Sequence, residues 1–137
     1  MQRTLTIVKP DAVAAGRAGA ILAHLEKEGF HFIGLRRMRL GTEQARSFYS
    51  VHRERPFYDA LVRFMTEGPV VVAALERADA VAHLRKTMGA TDSRKADAGT
   101  VRNLYGTDIE RNAIHGSDSA ENAAKEIAFF FAEAELL

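Results

Sequence analysis

The run Pro69-Val-Val-Val-Ala-Ala-Leu-Glu76, entered through Gly68, carries no polar side chain before its closing glutamate. A strand with one wet face alternates apolar and polar residues, whereas an unbroken apolar run bounded by turn residues is the pattern of a strand covered on both faces. That makes a sheet the organising element of the chain.

Two more strands are legible upstream. Thr4 to Val8 is β-branched or aliphatic and stops at Lys9-Pro10-Asp11, where proline removes a backbone donor and leaves Lys9 at the strand's C-terminal edge. From Phe32 to Leu40 the apolar positions change parity: Ile33 and Leu35 share one face, Met38 and Leu40 the other, which a bulge near Arg36 and Arg37 would explain.

Helices fall between the strands. Ala18, Ile21, Leu22 and Leu25 repeat at helical spacing, with Gly29 as the stop. A capping-like Thr42 opens a short helix through Tyr49, and a second runs from Phe57 to about Glu67 after Pro56, so the pair forms a hairpin insert. Val81, Leu84 and Met88 mark another helix ending at Gly89, and residues 90–106 read as the longest loop. Asp118 and Glu121 have capping-box spacing before a last helix with Ala120, Ala123, Ala124, Ile127, Ala128 and Phe131 on one face. Phe129 lies opposite that stripe and needs a second cover, from the chain's own C-terminal tail or a neighbouring subunit.

The resulting order is β-α-β-(αα)-β-α-loop-β-α. It fits an α+β fold: a ferredoxin-like split βαβ sandwich, a four-stranded antiparallel sheet with helices packed on one face and a helical hairpin insert. The 137 residues suit a single domain spanning 1–137.

Charge and composition narrow the function. Nineteen basic residues against eighteen acidic ones leave a formal charge of +1, so no whole-molecule field points to nucleic acid or membrane as the main ligand, and an anion site has to be local. Cysteine is absent, which removes disulfides, thiolate metal sites and cysteine nucleophiles. The start "MQRTLTIVKPD" lacks the apolar core of a signal peptide, and no apolar run reaches the roughly 18 residues that span a bilayer, so the cytoplasm is the expected compartment.

The local site is "RNAIHGSDS", residues 111–119. A single histidine is more often a hydrogen-bonded surface residue than a catalyst, and His24, His31, His52 and His83 read that way. His115 differs in its neighbours. Gly116 lets backbone approach a ligand, Ser117 and Asp118 offer local hydrogen bonds, and the helix that follows directs its N-terminal dipole toward anions. A neutral imidazole is a competent nucleophile near pH 7 and can hold a phosphoryl group covalently. Such a histidine needs an acceptor to fix its tautomer, and Glu126, two turns into the helix, can fold back to serve.

Rival chemistries lack their residues. No further histidine or carboxylate stands at metal-ligand spacing, the serine is not in a G-x-S-x-G elbow, and neither a Walker loop nor G-x-G-x-x-G occurs. Phosphates would be held by side chains: Lys9, Arg85, Thr91 and Arg102 stand in suitable places, each of them informative only if they converge.

Asn112-x-x-His115-Gly-Ser-Asp-Ser119 resembles the active-site signature of nucleoside diphosphate kinases. The likeness extends through "TLTIVKPDAV", "FYSVHRERPFYDALVRFMTEGPVVVAALE" and "LRKTMGATDSRKADAGTVRNLYG", in the family's order. It implies that His115 accepts the γ-phosphate of ATP or another nucleoside triphosphate and passes it to a nucleoside diphosphate in a ping-pong cycle. Glu126 and Ser117 would orient the imidazole. Lys9 and Tyr49 would contact the transferring phosphate, Lys9 and Asn112 the sugar hydroxyls, and Arg85, Thr91 and Arg102 the other phosphate oxygens. Phe57 would stack on the base, with Leu61 and Ile109 completing an apolar slot that reads no base edge and tolerates many bases. Mg²⁺ would be held mainly through the nucleotide phosphates, with no metal cage in the protein.

Two features depart from the family. Ser93 and Ala98 stand where its long loop often carries prolines, which bears on loop rigidity and subunit contacts, and the chain ends soon after its phenylalanines, like shorter bacterial members. Family members are homo-oligomers, and the short tail favours a tetramer over a hexamer or dimer. The competing readings are a catalytically silent nucleotide-binding module, against which the intact set of Lys9, Arg85, Arg102, His115 and Glu126 speaks, and a nucleic-acid-binding split βαβ domain, which would want exposed sheet aromatics and a basic face.

Overall fold

In the computed structural model, which describes residues 1–137, the apolar run forms β3 (Val70–Arg77) in the interior of a four-stranded antiparallel sheet. The other strands are β1 (Gln2–Val8), β2 (His31–Met38) and β4 (Ile114–Gly116), and their order across the sheet is β2-β3-β1-β4. Helices α1 (Pro10–Ala14), α2 (Ala18–Lys27), α3 (Thr42–Phe48), α4 (Tyr58–Met65), α5 (Ala80–Met88), α6 (Val101–Tyr105) and α7 (Ala120–Phe130) connect and cover the strands. The ferredoxin-like α+β architecture with its helical hairpin is the one the element order predicts.

Period-two alternation along β3 feeds two cores. Val71, Ala73 and Leu75 meet Ile21 and Leu25 of α2 and Leu84 and Met88 of α5. Val70, Val72 and Ala74 meet Phe64 and Met65 of α4 and Ile127 and Phe130 of α7. The sheet is thus covered on both faces, which corrects the expected one-sided packing: the hairpin and the last helix each carry an apolar face that finds burial on the side away from α2 and α5. Every fully buried leucine or isoleucine in these layers stabilises the fold by about 1.5–3 kcal/mol.

Several local expectations move. The β2 bulge lies at Ile33, between pairs Phe32↔Leu75 and Gly34↔Ala74, rather than at Arg36 and Arg37. Its cause is distant in sequence: the C-terminal tail crosses the strand there, Leu137 N–H donates to Ile33 O at 2.9 Å, and a side chain at Gly34 would press on Phe131 and Leu136 at 3.1–3.2 Å. Ile33 is buried and Leu35 is 55% exposed, so the two do not share a face. Helix α3 is capped from Gly41, whose N–H donates to Gln44 Oε1, and not from Thr42. The cap of α7 is Ser119, whose hydroxyl accepts from Asn122 N–H at 3.0 Å, while Asp118 accepts from the Asn122 side chain instead of pairing with Glu121.

The long loop is partly ordered as helix, with a 3₁₀ turn at Ser93–Lys95 and α6 after it. On α7 the buried positions are Ala123, Ile127 and Phe130, whereas Ala120, Ala124 and Ala128 face solvent, so the apolar stripe is rotated from the one expected. Phe129 packs edge-on against Phe48 of α3 with centroids 5.3 Å apart, so within the chain the hairpin, rather than the C-terminal tail, gives it partial cover, and it stays 38% exposed. No helix is long and apolar enough to cross a membrane.

Gly116 shows how tightly β4 is pressed on α5. A Cβ there would overlap Met88 Sδ and lie 2.9 Å from Leu84 Cδ2. We expect Gly116→Ala to lower stability by about 1–3 kcal/mol through overpacking, measured as a shift of the urea midpoint at unchanged slope.

Candidate active site

Strand β4, at the edge of the sheet, carries the histidine and pairs with β1 through Ile7↔His115, and α7 packs against β1. His115 Nε2 lies 2.7 Å from Glu126 Oε1. A carboxylate only accepts, so Nε2 holds the hydrogen and the free lone pair falls on Nδ1. Ser117 Oγ–H donates to the same Glu126 oxygen at 2.9 Å, and its oxygen in turn accepts from Leu5 N–H at 3.3 Å. The carboxylate that orients the ring is therefore itself held from the far side by a serine anchored on β1. Capping by Ser119 starts α7 at the phase that brings Glu126, one turn before its apolar end, back over β4.

The basic groups arrive from three other segments. Lys9, at the end of β1 and 8% exposed, donates through Nζ to Asn112 Oδ1 at 2.8 Å. Asn112 spends its amide hydrogens on Thr91 O and Ile109 O, which ties the loop before β4 to the loop after α5. Arg102 of α6, 6% exposed, donates to Ile114 O and to Gly89 O, and its Nε is buried without a partner. Arg85 of α5 reaches Gly116 O at 3.3 Å. None of the three cations is in an ion pair.

Their electrostatics are strained accordingly. Burial, reinforced by the Arg102 charge, lowers Lys9 from its ordinary 10.5 to about 8. Burial and Arg85 lower Arg102 to about 10. The charges of Asp11 and Glu110 offset this only in part at Lys9, so crowding the like charges is costly, and a bound polyanion lowers that cost. Tyr49 is buried with its hydroxyl unpartnered, and burial together with Glu126 raises it well above the ordinary tyrosine value, so it keeps its proton as a donor.

A pH dependence follows for Lys9. The folded protein binds this proton less tightly than the unfolded chain, so its contribution to stability rises with pH between about 8 and 10.5. Anion capture runs the other way. We expect kcat/KM of the free protein to fall as pH rises through about 8, and a flat profile from pH 7 to 9 would remove Lys9 from anion binding.

Of the sequence-predicted residues, His115, Glu126 and Ser117 form one hydrogen-bonded group and Lys9, Asn112 and the Thr91 carbonyl a second, while Arg102 and Arg85 bond to the carbonyls of Ile114 and Gly116, the residues on either side of His115. Tyr49 stands with its ring 6.2 Å from His115. Phe57, 49% exposed, and Leu61 lie one turn apart at the start of α4, where Leu61 N–H donates to Phe57 O at 2.9 Å; Leu61 is half-buried against the core, and Ile109 is 60% exposed. Three neighbours escaped the sequence. Phe48 stands edge-on to His115 at 5.5 Å, and the ring of His52 lies 5.4 Å from Phe57. Asp11 accepts from Ala113 N–H at 3.1 Å, and burial pushes its carboxyl up against the opposing pull of nearby N–H groups and Lys9. Asp11 and His52 gave no periodic signal; Phe48 had only its place beside Tyr49.

A split βαβ sheet that sets a carboxylate-held histidine before unneutralised cations has the make-up of a phosphotransferase for nucleotides. The comparisons narrow that class: residues 2–136 match the family model described as nucleoside diphosphate kinase. The chain belongs to the nucleoside diphosphate kinase family, enzymes of nucleotide phosphoryl transfer. It is 54% identical over 99% of its length to a protein of that name from Acidiphilium cryptum, covering 97% of the relative, and 47% identical over its full length to one from Persephonella marina, covering 98%. Among solved structures it superposes on the Aquifex aeolicus enzyme with a TM-score of 0.97, at 48% identity and 99% coverage of both chains. Against the Halobacterium salinarum enzyme, solved in complex with CDP, the TM-score is 0.95 at 43% identity, covering 99% of this chain and 91% of that one.

Proposed function

We propose that this protein moves the γ-phosphate of a nucleoside triphosphate to a nucleoside diphosphate in two half-reactions through a phosphohistidine at His115. The observation that carries the reading is the pairing of His115 Nε2 with Glu126, which leaves Nδ1 as the nucleophile, on a strand whose flanking carbonyls at Ile114 and Gly116 are bound by Arg102 and Arg85. In the first half-reaction the Nδ1 lone pair forms a bond to the γ-phosphorus as the bond to the β,γ-bridging oxygen breaks. The charge that develops on the ring passes to Glu126 through the Nε2 hydrogen. Lys9, Arg85 and Arg102 neutralise phosphate oxygens, Thr91 and Tyr49 donate to them, and Asn112 with Lys9 grips the sugar. The second half-reaction reverses these steps onto a bound diphosphate.

Phosphoryl transfer of this kind depends on positioning and charge neutralisation more than on covalent help from the protein. Phe57, Leu61 and Ile109 offer a base only apolar surface, which supports broad base tolerance. Carboxylate oxygens in the cleft are engaged at Glu126 by His115 and Ser117, at Asp11 Oδ2 by Ala113 N–H and at Asp118 by Asn122, and no three histidines or carboxylates gather as a metal cage. That donor set suits Mg²⁺ arriving as the magnesium complex of the nucleotide, where it would shield phosphate charge. A cytoplasmic place and a homo-oligomer, a tetramer before a hexamer or dimer, belong to the same reading; β2 supplies a sheet edge, with Leu35 exposed, for such contacts. Incubation with γ-labelled ATP tests the proposal: an acid-labile, base-stable protein label should form and pass to added GDP, and a protein that never becomes labelled would overturn it.

A further inference from the structure

Asn112 and His115 are separated by a turn that an ordinary residue resists. Ala113 sits at φ +73°, and Ile114 N–H donates back to Asn112 O at 2.9 Å, which makes Ala113 the centre of a γ-turn. A left-handed φ on a residue with a Cβ is strained and persists only where surrounding bonds over-determine it. Here they come from one short segment. Lys9 N–H donates to Ala113 O at 2.8 Å, and Asp11 Oδ2 accepts from Ala113 N–H at 3.1 Å, so both backbone polar groups of the strained residue are clamped from the β1–α1 junction. Ala113 is fully buried, and Asp11 Oδ1 is buried with no hydrogen-bond partner in the protein.

We infer that Asp11 is a positioning residue: by holding the Ala113 γ-turn it sets the spacing between the sugar-gripping Asn112 and the phosphoryl-accepting His115. The carboxylate touches no reacting atom. It acts through backbone, and its effect is on how well the sugar contact is converted into alignment of the γ-phosphate with Nδ1. This inference rests on the phosphotransfer reading, so its test has one arm that needs no nucleotide.

In Asp11→Ala the amides of Ala113 and Ile114 should exchange with solvent at least ~10-fold faster than in the unmodified protein, because the strained turn opens locally. With nucleotides, turnover of GDP at saturation should fall roughly 10- to 100-fold, the loss expected of an ångström-scale misplacement. The preference for GDP over 3′-deoxy-GDP as acceptor should shrink toward one, which a general loss of stability would not produce. Asp11→Asn keeps an acceptor oxygen at the same place and should restore both the preference and most of the turnover.

Should Asp11→Ala fold poorly, Asp11→Ala/Ala113→Gly carries the test, because glycine adopts φ +73° without the clamp and should recover the sugar preference and slow exchange at Ile114, whose N–H still meets Asn112 O. Unchanged amide exchange in Asp11→Ala would overturn the inference whatever the protein's activity. So would equal loss of turnover in the alanine and asparagine variants with sugar preference intact, which would assign Asp11 a charge effect on Lys9. Absence of any phosphohistidine in the unmodified protein strikes the functional reading instead, and the exchange arm still decides whether Asp11 holds the turn.

Discussion

His115→Ala should lower turnover by roughly 10⁴- to 10⁶-fold, in line with removal of a covalent nucleophile elsewhere, and leave the protein unlabelled by γ-labelled ATP. The size of the loss follows from what else is present. No cysteine exists, the nearest serine hydroxyl is committed to Glu126, and the Tyr49 hydroxyl is buried and held protonated. Nothing within reach substitutes for the Nδ1 lone pair. The fold should survive, because the backbone at position 115 still pairs with Ile7, and Glu126 keeps its bond from Ser117. Circular dichroism and the urea midpoint check that half. Turnover within tenfold of the unmodified protein would place the nucleophile elsewhere.

Arg102→Ala should cost about 10²- to 10³-fold in kcat/KM, the lower range for an arginine that stabilises a transferring phosphoryl group. From the sequence alone this residue reads as a cation in the long loop, placed to meet phosphate oxygens. The structure adds a second cost. Arg102 donates to the carbonyls of Gly89 and Ile114, so truncation leaves acceptors at the end of α5 and the start of β4 without their donor. An unsatisfied buried acceptor costs about 1–3 kcal/mol, and a loss of that size should appear in the urea midpoint. Arg102→Lys keeps the charge but cannot serve both carbonyls and a phosphate together, so it should recover less than half of the logarithmic loss. Kinetics unchanged in Arg102→Ala would remove the residue from the site.

What could be read early shares a physical property: its cause is local. β3 is legible because both of its faces are buried by whatever covers the sheet, and α7 and the His115 cluster are legible because capping, helical period and loop chemistry act within a few residues. The displaced features have remote causes. The bulge at Ile33 lies where a tail that begins near Phe131 crosses the strand, and Phe129 packs on Phe48, 81 positions earlier, by a ring contact with no periodicity of its own. Asp11 is the extreme case, since its partner Ala113 lies 102 residues away and the need for it arises from a backbone angle that alanine does not advertise. The resemblance to a family supplied the remote members of the site, Lys9, Arg85 and Arg102, for the same reason: convergence of separated segments is a property of the folded chain.

The strand order has a consequence for how this enzyme comes into being on the ribosome. β1 and β2 are neighbours in sequence and never touch; each waits for β3, and β1 then waits again for β4. Lys9 and Leu5 thus emerge first and acquire their partners Asn112 and Ser117 only once the last fifth of the chain has been made. A nascent or prematurely ended chain lacking β4 has neither His115 nor Asn112, so the hydrogen bonds that fix Glu126 and the Lys9 side chain all form late, when the final helix has been made.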